Sequence, residues 1–189
     1  MSIIHRRVLS AALLCSTTVL CADAFSSDPA ATGTDRPAGQ TMSAAQSLGV
    51  AETVSGAEVE LASVASSKAQ SPAVQKLAQT IINDHSEAGK RARALAERLK
   101  VRVTPSAASN AVQKEADDAT AKLDKVVGPD FDRAYVQSAI RFHQKVLIAI
   151  DGTMPSVGTK EVKELFTDVR SRVEHELDDA KLVLPSLGK

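Results

Sequence analysis

From about Met42 to Leu184, apolar residues return every three or four positions, and no stretch alternates with period two for long enough to make a strand. That periodicity restricts the chain to amphipathic helices packed on one another. The first predicted helix covers roughly 42–69, with Val50, Val54, Ala57, Leu61 and Val64 on one face. Its next stripe position is Lys68, so the apolar face ends just before a turn. Gly49 and Gly56 lie inside it, which allows a break or kink near Gly56. Ser71-Pro72 reads as an N-cap followed by proline in the first turn. The second helix then runs to about Lys100 on Val74, Ala78, Ile81, His85, Ala88, Ala92, Leu95 and Leu99. Glu87 and Arg91 stand at i,i+4 on its outer surface, where they are expected to pair.

Val103 to Ser106 reads as a loop, followed by a shorter helix over about 111–126 that stops at Gly128-Pro129. The next helix lasts from about Asp130 to Ile150, with Asp132, Val136, Ala139, His143, Val146 and Ile150 facing inward. Tyr135 lies at the edge of that stripe, and Asp130 and Asp132 suit the positive end of the helix dipole. Asp151 to Gly158 is the next loop. The last helix, about 159–184, turns Val162, Phe166, Val169, Val173, Leu177 and Ala180 inward. The fold class expected is all-α: an antiparallel four-helix, ferritin-like bundle with one additional short helix. The long link between the second and fourth segments leaves two arrangements open. It crosses the end of the bundle, or its helix packs alongside.

The first 24 residues read as a signal peptide. His5, Arg6 and Arg7 are basic, Val8 to Leu20 is apolar, and Ala22-Asp23-Ala24 puts small residues where a signal peptidase reads. The apolar run is too short and too polar for a good membrane span. A small residue does not precede Cys15 or Cys21, which disfavours lipid attachment. Cleavage after Ala24 removes both cysteines, and with them disulfides and thiolate chemistry. It also removes Arg6, Arg7 and Asp23 from a balance of 23 basic and 23 acidic residues, leaving 21 and 22. Such a chain lacks the basic excess of a nucleic-acid binder. Residues 25–41 are rich in Ser, Asp, Pro, Thr and Gly and read as a flexible arm, 42–184 as the bundle and 185–189 as a tail. The expected location is the periplasm, free or loosely associated with the outer membrane.

Five segments carry a resemblance. Ala57-Glu58-Val59-Glu60-Leu61, Ser71-Pro72-Ala73-Val74 and Asn83-Asp84-His85 resemble the bacterial domain-of-unknown-function 4142 family (DUF4142). So do Phe131 to Val136 and Phe142-His143-Gln144-Lys145, and the likeness extends over roughly 44–180. It implies an exported ferritin-like bundle and no established activity. The family pattern places a His about one turn before Ala180, where this chain has Glu176; its His175 is shifted by one position.

Three histidines remain beyond residue 24. At 100° per residue His85 and His143 fall near the middle of their apolar stripes, and His175 falls on the outer face. A buried imidazole is either a hydrogen-bonded core residue or a metal ligand. If the first two helices turn near Ala69 to Ser71, Glu58 comes level with His85, and Glu58–His85 is the expected polar pair. If the last two long helices turn midway through their loop, His143 comes level with Thr167. Glu176 is then displaced by nine residues, roughly 13 Å at 1.5 Å per residue, too far to share a metal. Glu58, His85 and His143 are therefore the candidate ligands of a single transition-metal ion. A di-iron centre needs Glu-x-x-His, and the residues three before the histidines are Ile82, Ile140 and Arg172. No phosphate loop or nucleophile elbow is present. The sequence thus points to an exported bundle of unassigned activity, a non-enzymatic binding or envelope stress-related protein whose partner is an envelope protein or small ligand, with a ferritin-like metal-binding or redox protein as the alternative.

Overall fold

The computed structural model describes residues 42–187; the predicted signal peptide and arm lie outside them. Among the described residues there are five α-helices: α1 (Ala44–Lys68), α2 (Pro72–Leu99), α3 (Ala107–Leu123), α4 (Pro129–Thr153) and α5 (Lys160–Val183). Short 3₁₀ turns, Met154–Ser156 and Leu184–Ser186, follow α4 and α5. The all-α expectation holds.

Neighbouring helices close a ring in the order α1, α2, α5, α4, α3 and back to α1. Ion pairs between elements give the directions. Arg91–Asp168 and Asp84–Arg172 set α2 antiparallel to α5, and Lys145 with Glu115 sets α4 antiparallel to α3. Thr104 N–H donates to Ala45 C=O at one end, and Lys68 pairs with Asp124 at the other, so α1 and α3 run parallel. The four long helices alternate in direction, and α3 is wedged between α1 and α4. Of the two arrangements left open for the long link, packing alongside is the one adopted.

That wedge explains burial beyond single stripes. α1 touches every other helix, and Ser47, Leu48, Ala51, Ser55 and Ala62 are buried in addition to its predicted face. α4 buries Phe131, Tyr135, Ser138 and Phe142 beside its predicted stripe. Phe131 and Tyr135 stack with ring centroids 6.4 Å apart.

α1 runs unbroken through Gly56, so the allowed break is absent. Gly49 has a tighter role, because a Cβ there would lie 2.4 Å from the Thr104 carbonyl oxygen. The backbone leading into α3 therefore comes close to α1 only because position 49 has no side chain. α3 begins at Ala107, earlier than expected, because Ser106 and Ser109 cap it reciprocally. Gly128 at φ 67° lets the chain reverse into Pro129, the first residue of α4. α4 continues past the expected stop at Ile150, through Gly152 to Thr153.

Two local expectations are corrected. Ser71 occupies the N-cap position of α2, but its hydroxyl makes no cap bond. Instead the Gln70 and Ser71 N–H groups donate to the two carboxylate oxygens of Asp132, at 3.0 and 2.6 Å. The first turn of α4 thereby holds the α1–α2 turn. Arg91 does not pair with Glu87; it reaches Asp168 on α5 at 2.5 Å, and Glu87 faces Lys90 at 3.8 Å. An inter-helix partner displaces the local one.

Candidate metal centre

Four ionisable side chains meet in the middle of the bundle, one from each long helix: Glu58 on α1, His85 on α2, His143 on α4 and Glu176 on α5. Their exposures are 2%, 1%, 0% and 2%. Each sits where its own helix's apolar periodicity points inward, so the packing of Val54, Ile81, Val146 and Val173 around them carries them into the core.

Glu176 is the hub. Its Oε2 lies 2.9 Å from His85 Nε2 and 3.2 Å from His143 Nε2. A carboxylate only accepts, so both Nε2 atoms carry hydrogen when these bonds form. His143 Nδ1 lies 2.8 Å from the Ala139 carbonyl, which also only accepts, so this imidazole donates from both nitrogens. Glu58 Oε1 stands 3.4 Å from His143 Nδ1.

The charges follow from these contacts. Burial opposes protonation of His143, but Glu58 and the bond to Glu176 outweigh it and hold its pKa at about 9. Burial would also raise the Glu176 pKa, yet the bonds from His143 and His85 bring it down to about 2. For Glu58 burial prevails: its pKa is raised even though both imidazoles draw it down, and Glu176 adds to the rise. Tyr135, two turns before His143 on α4, is held in its neutral form by burial and by both carboxylates.

Three polar atoms of the cluster are buried and have no hydrogen-bond partner: Glu58 Oε1, His85 Nδ1 and Glu176 Oε1. Unmet polar capacity of this kind is uncommon in a protein core. Glu58, His85 and His143 also offer one donor atom each, all within 4.8 Å of one another. Imidazole nitrogen with carboxylate oxygen is a donor set that suits Zn, Fe, Cu or Ni.

All three candidate ligands read from the sequence are thus brought together. The expected Glu58–His85 pair is corrected in its bonding, since both belong to one cluster but His85 bonds to Glu176. The separation of Glu176 from His143 is corrected outright. The midpoint of 143 and 176 is 159.5, and that of the ion-paired Asp151 and Arg170 is 160.5. The chain therefore reverses near residue 160, at the start of α5, and not near 155. α4 and its 3₁₀ extension take 151–156 and leave only Val157 and Gly158 of the supposed loop. Glu176 was nonetheless readable from its own helix, since it follows Val173 by three positions and precedes Ala180 by four. His175 is exposed, as expected.

Among the described residues, no helix is long and apolar enough to cross a membrane. No curated protein matches the chain. Among solved structures, a crystal structure of a DUF305 fragment from Deinococcus radiodurans superposes with a TM-score of 0.67 at 18% sequence identity, covering 78% of this chain and 99% of that one. At that identity the likeness concerns the fold alone. The model of the Domain of unknown function (DUF4142) family matches residues 29–183, and the chain belongs to that family.

Proposed function

We propose that this is an exported, ferritin-like binding protein whose core holds one transition-metal ion between Glu58, His85, His143 and Glu176. The observation that carries the reading is the convergence of Glu58, His85 and His143, whose donor atoms lie within 4.8 Å of one another, with Glu176 bonded to both imidazoles and three polar atoms of the four unpartnered. Bound metal would supply positive charge for the carboxylates and a use for the vacant lone pairs. The protein's part is to fix the four side chains and keep water out. Binding releases a proton, because His143 donates from both ring nitrogens before the ion arrives and must free one of them, whereas His85 can offer its unpartnered Nδ1 and keep its Nε2–H on Glu176.

A second reading rests on the Glu176 bonds. One carboxylate between two imidazoles is already a neutralised internal network, and such a network serves to fix helix register without any ion. Elemental mass spectrometry on untagged protein from the envelope fraction separates the two. The metal reading expects near-stoichiometric metal that is lost in His85→Ala and Glu58→Gln. Trace metal, or retention in both variants, would leave the network purely structural.

Export is proposed from residues 1–24, and a mature N-terminus at Phe25 in the intact mass tests it. A chain that retains its first 24 residues in the envelope fraction would overturn it.

A further inference from the structure

The four cluster side chains are closed to solvent, yet an exchangeable ion has to reach them. The clefts between α2 and α5 and between α3 and α4 touch none of the four. A cleft of about 340 Å³ between α1 and α2 does, because His85 forms part of its lining. Elsewhere this seam is filled by Val54, Leu61, Val74, Leu77 and Ile81. Here it is lined by Ser55 and Gly56 from α1 and Ser86 and Gly89 from α2. Ser55 and Gly89 pack closely, with Ser55 Cβ 3.4 Å from where a Cβ on Gly89 would lie, while Gly56 leaves open space beside them.

We infer that this cleft is the loading port of the buried centre, an inference that rests on the metal-binding reading. Two atoms in its lining residues are buried and unpartnered, the Ser55 hydroxyl and His85 Nδ1. A cation shedding its water meets these donors first, before the carboxylates inside. At the rim Glu52 faces Lys90 and Arg93. The Arg93 guanidinium comes within 3.5 Å of where a Cβ on Gly89 would lie, so it folds back over the α2 side of the cleft. It makes no ion pair among the described residues, and Lys90 has only a distant one to Glu87 at 3.8 Å. The cover is cationic and free to swing, and it retards the arrival of a cation.

The test is the rate at which full-length metal-free protein takes up Co2+, followed by stopped-flow visible absorbance, with the amount bound at equilibrium measured separately. A Cβ at Gly56 meets nothing within 4 Å, so this lining position has room to begin a side chain, and Gly56→Leu adds bulk to the cleft and improves helix propensity. It is expected to slow uptake and release at least tenfold each while leaving the stoichiometry unchanged. Arg93→Ala is expected to speed uptake severalfold. Wild-type rates in both variants would overturn the port and leave the metal reading standing. A wild-type protein that takes up no Co2+ would remove both.

Discussion

Glu176→Gln removes one charge from the centre and keeps the side chain's size. In the metal-free protein a carboxyl held near pKa 2, against an ordinary 4.5, gains about 3 kcal/mol from its surroundings at neutral pH, at about 1.4 kcal/mol per tenfold. The His143 pKa of about 9 describes the same interaction from its other partner, so the two do not add. The glutamine oxygen still accepts one imidazole N–H, which recovers about 1 kcal/mol. The expected loss is about 2 kcal/mol, or roughly 1 M in urea midpoint at a slope of about 2 kcal/mol/M. The depressed Glu176 pKa makes its contribution present above pH 4.5 and lost as pH falls towards 2. The raised His143 pKa makes its contribution present below pH 6.5 and lost as pH rises through 9. Glu58, with a raised pKa, weakens the fold as pH rises above 4.5. The difference between wild type and variant is therefore greatest between about pH 4.5 and 6.5 and shrinks on both sides. Urea titrations across pH 3 to 10 measure it. A variant within about 0.5 kcal/mol of wild type at pH 6, or a difference that ignores pH, would refute the charge assignment.

Other perturbations test the scaffold, each by chemical denaturation. Asp132→Ala leaves the Gln70 and Ser71 N–H groups without their shared carboxylate and should cost about 3 kcal/mol, since bonds to a charged acceptor are each worth about 1.5–3 kcal/mol. Gly49→Ala drives a methyl into the Thr104 carbonyl and should cost about 2 kcal/mol despite alanine's better helix propensity; a stabilised variant would show that the loop approaches less closely. Lys100→Gly relieves a left-handed residue at φ 53° at the end of α2 and should gain about 1 kcal/mol.

Much of this architecture was legible because helices announce themselves locally. The stripes through His85 and His143 placed both imidazoles in the core, and the short Ala69 to Ser71 turn brought Glu58 level with His85. What failed were inferences needing a second element. The reversal between α4 and α5 was assumed to lie at the middle of its loop, and a helix that continues through Gly152 moved it. The same error hid Glu176 from His143, although the i+3 and i−4 spacing of Glu176 to Val173 and Ala180 marked it as inward. Arg91 has a plausible partner at Glu87 in sequence and a better one, Asp168, only in three dimensions. The additional burial on α1 and α4 depends on where α3 lands, which no single stripe records.

The placement of one polar residue on each long helix also has a kinetic consequence. Glu176 contacts His143 across 33 residues of chain and His85 across 91. No partial assembly of α1 with α2, or of α4 with α5, satisfies all four. A pair of hairpins can therefore collapse on apolar contacts first, and the centre is completed only as they dock in register. Where docking follows the transition state for folding, such interactions act on how fast the native protein opens and hardly on how fast it forms, and Glu176→Gln then speeds unfolding in stopped-flow urea jumps while leaving refolding unchanged. In that order of events the buried cluster governs the lifetime of the folded bundle.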